Sequence, residues 1–461
     1  MGHPLWLASP ALYLYRSSSP MRFLPTLLAL AASALLAAQP ARADTYVILV
    51  APKDSPAYAA AQARENGSTI FAERKLHRGL TRAAELLASG PHTVNVYVAA
   101  GVYTGKANMG VWKVPAIDNP QGTLRIAGGF NDDFSGRQPF GLLTELQTVP
   151  GRDGAILQFA SKSKLKELVV SGLTLDAAPS NDYDARSNSL LKGSSRSYPL
   201  ISFSLLTLDH LLVADNVLMN GAHGAFDPYV QPLSGSSVID IQNNVFLNNV
   251  KAMKLAAPKA FAELNLRRNT FFLNWPFNPD PTSSNVSAVE LYHAGGAEQV
   301  TIEGNLFAYN PGGALQHDWP EDRMGPLALR GNLFFSNASL FEDAGAEAGV
   351  FAGKFGTNPR YLLLDLESVE DDFDYDVSGN VAMDPAIPIA MAELQAADSG
   401  SVQRENTVVN DVRRLFGLNQ DGGTVAIANY APAMAYHFPQ PTAEAAQGYG
   451  AQPGQLWNPS R

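Results

Sequence analysis

Five asparagines, Asn216, Asn244, Asn269, Asn305 and Asn332, recur along this 461-residue chain, and side chains able to move protons stand seven to thirteen residues after them. His223 and Asp227 follow the first, Lys251 and Lys254 the second, and Asp280 the third. His317 and Asp318 follow the fourth, Glu342 and Asp343 the fifth. If each segment is one layer of a stack, these groups line one side as a mixed acid, base and imidazole strip. Such a strip could take a proton from the carbon beside a uronic acid carboxylate. His223, Lys251 or Lys254 would serve as base, Asp227 as acid or cation ligand, and a lysine or cation would neutralise the carboxylate. Tyr229, Asp280, His317 and Asp318 would contact the substrate. The competing reading is a set of ordinary solvent-facing residues after a turn.

Holding such a strip requires a repeating scaffold, and the chain carries one. Each asparagine sits in a unit of the form Asn-x-(Phe/Leu)-x-x-Asn or a one-residue variant, preceded by alternating apolar residues, as in Val238-Ile239-Asp240-Ile241-Gln242-Asn243-Asn244-Val245-Phe246-Leu247-Asn248-Asn249. The anchors step by 28, 25, 36 and 27 residues, with degenerate copies around Gly172 and Asn380. Alternation with a period of two predicts a strand with one buried face, followed by a turn. Stacking the units puts Leu218, Phe246, Phe271, Phe307 and Phe334 in one interior column and the anchor asparagines in another. There the amides bond above and below, and the anchors are expected to take the left-handed turn conformation. This accounts for 15 of the 29 asparagines falling within 122 residues, Asn216 to Asn337. A leucine-rich repeat would show shorter, more regular leucine spacing, and a β-sandwich would show hairpin turns every 8–12 residues.

Composition agrees with a large hydrogen-bonded core: 46% of residues are hydrophobic and 16% charged. The net charge of −10 argues against a nucleic-acid binder, and the absence of cysteine excludes disulfides, a thiol nucleophile and thiolate zinc sites. No metal site is assigned. Calcium is the one cofactor left open, because Asp372, Asp374 and Asp376 alternate within an acidic run; that run lacks the EF-hand glycine, replaced by Val377, and the bidentate glutamate, replaced by Met383.

With these repeats in view, the chain resembles the pectate-lyase-like superfamily over about Val94 to Val381. The Val94–Gly105 segment is similar to the first coil of many such secreted proteins, and Gly128-Gly129-Phe130-x-x-x-Phe134 to a segment found in a subset of them. The resemblance implies an all-β fold, a right-handed parallel β-helix acting on or binding a polysaccharide or cell-envelope glycan, as a lyase or epimerase on a uronate polymer or as a non-catalytic envelope protein. Asp227-Pro228-Tyr229-Val230 partly resembles the Asp-Pro-His-Asp/Glu block of mannuronan C5-epimerases, with Tyr229 and Val230 replacing the histidine and the acid. Gly221-Ala222-His223-Gly224 is similar to the Gly-His-Gly block of polygalacturonases, whose paired carboxylates have counterparts here only in Asp132-Asp133 and Asp371-Asp372, outside the central units.

Met21-Arg22, the apolar run Phe23–Ala38 and Ala41-Arg42-Ala43 read as a secretory signal cleaved after Ala43, which predicts a periplasmic or secreted protein with no membrane span in the mature chain. Residues 1–20 read as an upstream mis-start. Residues 44–93 form an expected N-terminal cap, whose Leu76, Leu80, Ala83 and Leu87 recur at helical spacing. Residues 94–381 form the solenoid. Residues 382–430 form a partly helical C-terminal cap, with helices over 389–397 and 408–416, and 431–461 a terminal arm or tail.

Overall fold

Strands with one buried face persist only when stacked, and in the computed structural model of the chain they stack almost wholly in parallel. The structure describes residues 43–105, 110–150, 155–180, 183–184, 189–190, 199–255, 261–276, 286–291, 297–317, 327–338, 347–352, 361–372, 376–387 and 438–458. The leader expected over residues 1–43 and the helices expected over 389–397 and 408–416 lie outside them, Ala43 apart.

Three long ladders carry the fold. The first runs from Ile70–Glu73 through Thr45–Val50, Thr93–Ala99, Asp118–Phe130 and Lys164–Ser171 to Ile201–Ala214. It continues through Val238–Gln242, Phe261–Arg267, Ala297–Glu303 and Leu327–Arg330 to Asp376–Ser378. The second ladder has nine short strands, from Gly101–Tyr103 to Val381–Ala382. The third takes Trp112–Val114, Leu157–Phe159, the start of Ile201–Ala214, Phe226–Pro232, Met253–Leu255, Val289–Leu291, Leu315–His317 and Val350–Ala352. Ile201–Ala214 serves two ladders because its backbone turns at Leu205, at φ +55°, where the register shifts. Such parallel sheets, with three α-helices among the described residues, are consistent with a parallel β-helix.

Stacking begins earlier than the Val94 start read from the repeats, since Thr45–Val50 pairs in parallel with Thr93–Ala99. Helix α1 (Pro56–Arg64) and helix α2 (Leu76–Ser89) belong to this opening segment. Leu76, Leu80, Ala83 and Leu87 are buried, as their spacing predicts, in the same core as Ile48, Val50 and Val96. On the basic side of α2, Arg82 pairs with Glu73 at 3.0 Å and lies over the Phe71 ring at 4.7 Å. Helix α3 (Leu366–Asp372) occupies part of the acidic run, and Asp376 pairs with Arg330; Asp374 lies outside the described residues.

The interior column forms as its spacing requires. Phe246, Phe271, Phe307 and Phe334 are fully buried, with successive ring centroids 4.8, 4.9 and 5.1 Å apart and planes within 9° of parallel. Beside it the anchors form an unbroken amide chain. Asn216 donates through Nδ2 to Asn244 Oδ1 at 3.0 Å, and the pattern continues through Asn269, Asn305 and Asn332 to Asn380. The same Oδ1 atoms accept the backbone N–H of the preceding anchor, and each Nδ2 also reaches a strand carbonyl, as Asn269 does to Ile241 at 2.9 Å. A second amide chain, Asn249, Asn274, Asn310 and Asn337, runs along the other end of the second ladder.

The anchors themselves do not take the left-handed conformation. It falls one residue earlier, at Asp215, Asn243, Arg268, Gly304 and Gly331, because that residue must turn the chain for the following asparagine to point inward. The second chain repeats the arrangement, with Asn248, Leu273, Tyr309 and Ser336 at positive φ.

The expected arm is packed against the body over its described part, residues 438–458. Ala446 and Ala451 are buried against the outer face of the second ladder, in one cluster with Val217, Met219, Leu247, Phe272 and Leu306. The arm then crosses successive layers: Gly450 donates to the Gly304 carbonyl, Gln452 to Asn243 Oδ1 and Trp457 to Asp215 Oδ2. Arg137 fixes its end, bonding the Trp457 carbonyl at 2.7 Å and Asp215 at 3.0 Å. Burial pushes the Asp215 carboxyl up, and Arg137 and Asn243 act against this.

Replacing Asn269 with alanine strips partners from Asn244 and Asn305 and from the Ile241 carbonyl in a fully buried column. Urea unfolding should show a loss of about 2–4 kcal/mol. Asn380→Ala, at the partly exposed end, should cost clearly less. Equal losses at the two positions would mean that burial of the amide chain is not what makes it stabilising.

Candidate functional site

The second amide chain sets where the chain enters the third ladder, and the candidate groups follow from that. Lys251 comes two residues after Asn249, whose Oδ1 accepts the Gly221 N–H; His223 comes two residues after Gly221, on the pass above. Asp227 and Lys254 each follow a core residue of paired strands, Phe226 and Met253, so both side chains point outward in neighbouring layers. The structure thus gathers His223, Asp227, Lys251 and Lys254 onto two adjacent passes. Of the other expected contacts, Tyr229 and His317 lie on strands of the same ladder with side chains outside the description, while Asp280, Asp318, Glu342 and Asp343 lie outside the described residues. Val230 is fully buried and cannot stand in for an outward acid.

The geometry pairs charge with charge. Lys251 Nζ lies 3.2 Å from Asp227 Oδ2, and Lys254 Nζ lies 3.7 Å from Glu290 Oε2. Lys251 has φ +59°, its backbone N–H is held by the Trp275 carbonyl at 2.7 Å, and its side chain is 7% exposed. Its stem runs past Gly224, where an added Cβ would come within 3.1 Å of the lysine Cε; Gly224 itself has φ +132°. A lysine held in a left-handed turn with its ammonium largely out of water is a costly arrangement.

Glu290 was not foreseen. It sits opposite Lys254 in the ladder and is fully buried although it faces away from the core. Only register could find it: 36 residues separate it from Lys254, and nothing local marks it. It belongs to an outward row that is polar from Lys113 through Gln158, Ser202 and Asp227 to Lys254, Glu290 and Gln316, and that reaches Phe351 on the following pass. Among the described residues no group of three or more histidine, aspartate or glutamate side chains is gathered to hold a metal ion.

A second cluster, also unforeseen, lies on the outer face of the first ladder. His210 Nε2 is 2.9 Å from Asp240, His210 Nδ1 is 3.3 Å from Glu167, and Arg125 bonds Glu167 at 3.0 Å. Burial alone would lower the His210 pKa, but its bonds to Asp240 and Glu167 outweigh this and hold it at about 9. Every member has a charged partner, so this cluster is a stabilising network.

Because His210 titrates at about 9 when folded and near 6.5 when unfolded, its contribution is complete below about pH 6.5 and is lost as the pH rises through about 9. Urea unfolding at pH 6 and at pH 9.5 should show a larger alkaline loss of stability in the parent chain than in His210→Gln. Identical pH slopes in the two proteins would remove His210 as the cause.

Compared with protein-family models, curated proteins and solved structures, the chain has no significant match.

Proposed function

We propose that the stacked ladders form a right-handed parallel β-helix of the pectate-lyase-like kind, exported after removal of a leader ending at Ala43. Its outward row around Asp227, Lys251, Lys254 and Glu290 acts on or binds a polysaccharide, most favourably an acidic one. The observation that carries this reading is the pair of lysine–carboxylate contacts in successive layers, with Lys251 and Glu290 withdrawn from water outside the core. Desolvated charge is costly even when paired, and it concentrates where ligands bind or reactions run.

In that reading His223 takes the proton from the carbon next to the uronate carboxylate. Lys251 and Lys254 neutralise the carboxylate as negative charge spreads onto it. Expulsion of the neighbouring glycosidic oxygen, with its bonding electrons, then leaves an unsaturated sugar; return of a proton to the opposite face inverts the carbon instead. Asp227 holds Lys251 in place as its ion-pair partner, and the expelled oxygen takes up a proton from water. The second reading is binding without turnover, favoured because each lysine already has a carboxylate partner.

Incubating the purified chain with pectate, alginate and glucuronan separates the two. Turnover predicts ultraviolet absorbance from unsaturated ends or a changed epimer ratio, falling about 100-fold in Lys251→Ala and in His223→Ala. No new absorbance, reducing ends or epimers, together with retention on an immobilised polymer, would establish binding alone. Neither turnover nor retention on any of the three polymers would overturn the glycan reading.

A further inference from the structure

Residues 438–458 contain one regular element, the short helical turn Glu444–Ala446, so it is the body that gives this segment its order. Much of that order comes from the left-handed residues that precede the anchors. The Gly304 carbonyl accepts the Gly450 N–H at 2.8 Å, and Asp215 Oδ2 accepts the Trp457 N–H at 3.0 Å. Asn243 clamps Gln452 twice, its Oδ1 accepting the N–H at 2.6 Å and its Nδ2 donating to the carbonyl at 3.1 Å. Beside these points the Ala451 N–H donates to Thr270 Oγ1 at 3.0 Å. An extended main chain held by groups fixed in a stack is one way in which a groove binds a peptide.

Side chains add selection. Ala446 and Ala451 are buried, and at Gly450, whose φ is +73°, an added Cβ would collide with Thr270 Oγ1. Trp457 packs on Val169, Leu212 and Ala214, with the Arg125 and Arg137 guanidinium groups each 5.9 Å from its ring. The groove therefore asks for an extended segment with a glycine, small neighbours and a tryptophan beyond them. None of these body groups depends on which copy of the chain supplies that segment.

We propose that the face under the arm is a peptide-binding groove that exchanges its resident arm for the same segment of a second copy. The segment suits such an exchange: Glu444 is the single charged residue in 438–458, so it carries little of the repulsion that a net charge of −10 sets up between whole chains. Within one copy the tethered arm has the higher effective concentration, and a segment from outside gains access as the arm lifts.

Hydrogen exchange on the intact chain tests the lifting. The Gly450, Ala451, Gln452 and Trp457 amides should exchange together, about tenfold or more faster than the Val245 and Thr270 amides that join layers of the second ladder. Arm amides no faster than these would make the arm part of the cooperative fold and overturn the exchange. Fluorescence anisotropy with a labelled peptide of residues 438–458 and the full chain tests the groove. The resident arm competes with the peptide, so Trp457→Ala in the chain, which loosens the arm and leaves the groove whole, should bind it about tenfold or more tightly than the parent does. Gly450→Val in the chain loosens the arm at a second point and should act alike, which keeps the test open if one variant fails to fold. A peptide carrying Gly450→Val should not bind. Equal affinity for parent and loosened chains, equal binding of the two peptides, or no binding to any chain would each overturn the proposal.

Discussion

A side-chain amide withdrawn from water must satisfy two donors and an acceptor, and here each anchor asparagine does so by bonding its equivalents one layer away. That requirement governs the rest of the structure. An amide can meet its neighbour only if successive strands are in register, and register in turn stacks Phe246 on Phe271 and Phe271 on Phe307. It also explains the low charge of the central chain. A carboxylate in either column would lack the donors to continue the chain of bonds and would face a like charge one layer away. The two amide chains bound the second ladder at both ends, so even its three-residue strands are fixed in length.

Much of this was legible in the residues themselves. The anchor spacing identified the stacked units, the phenylalanines named their own column, and the four apolar positions of α2 predicted a buried face. The left-handed position was misplaced by one residue because asparagine tolerates that conformation and was the obvious candidate; the geometry instead spends it on the residue that aims the asparagine inward. The pairing of Thr45–Val50 with Thr93–Ala99 was not legible because these strands lack the Asn-x-(Phe/Leu)-x-x-Asn unit, and the packing of the arm was not legible because its contacts reach residues hundreds of positions away.

The candidate site was half legible. Counting from the anchors brought His223, Asp227, Lys251 and Lys254 to adjacent passes because Asn249 ties the two passes together at Gly221, just ahead of both pairs. Glu290 escaped because an insertion between Asn269 and Asn305 displaces it from the count, and only pairing across strands restores it to the row. Pairing also alters the chemistry that can be argued. Lysines counted along a sequence look like free cations, whereas here each is held against a carboxylate, and a ligand carboxylate must share or displace that partner.

The arm has a consequence for the order in which the molecule is made. Its closing bond joins Arg137 to Trp457 across 320 residues, and it covers apolar side chains on the outside of layers formed far earlier in the chain. Those layers can stack one upon another as they emerge, since their contacts are between neighbours. The outer face of the second ladder, however, takes part of its cover from residues 438–458, far along the chain from the layers it belongs to. A chain cut before residue 438 would therefore leave the apolar side chains of Val217, Met219, Leu247, Phe272 and Leu306 without this cover and be prone to associate through them.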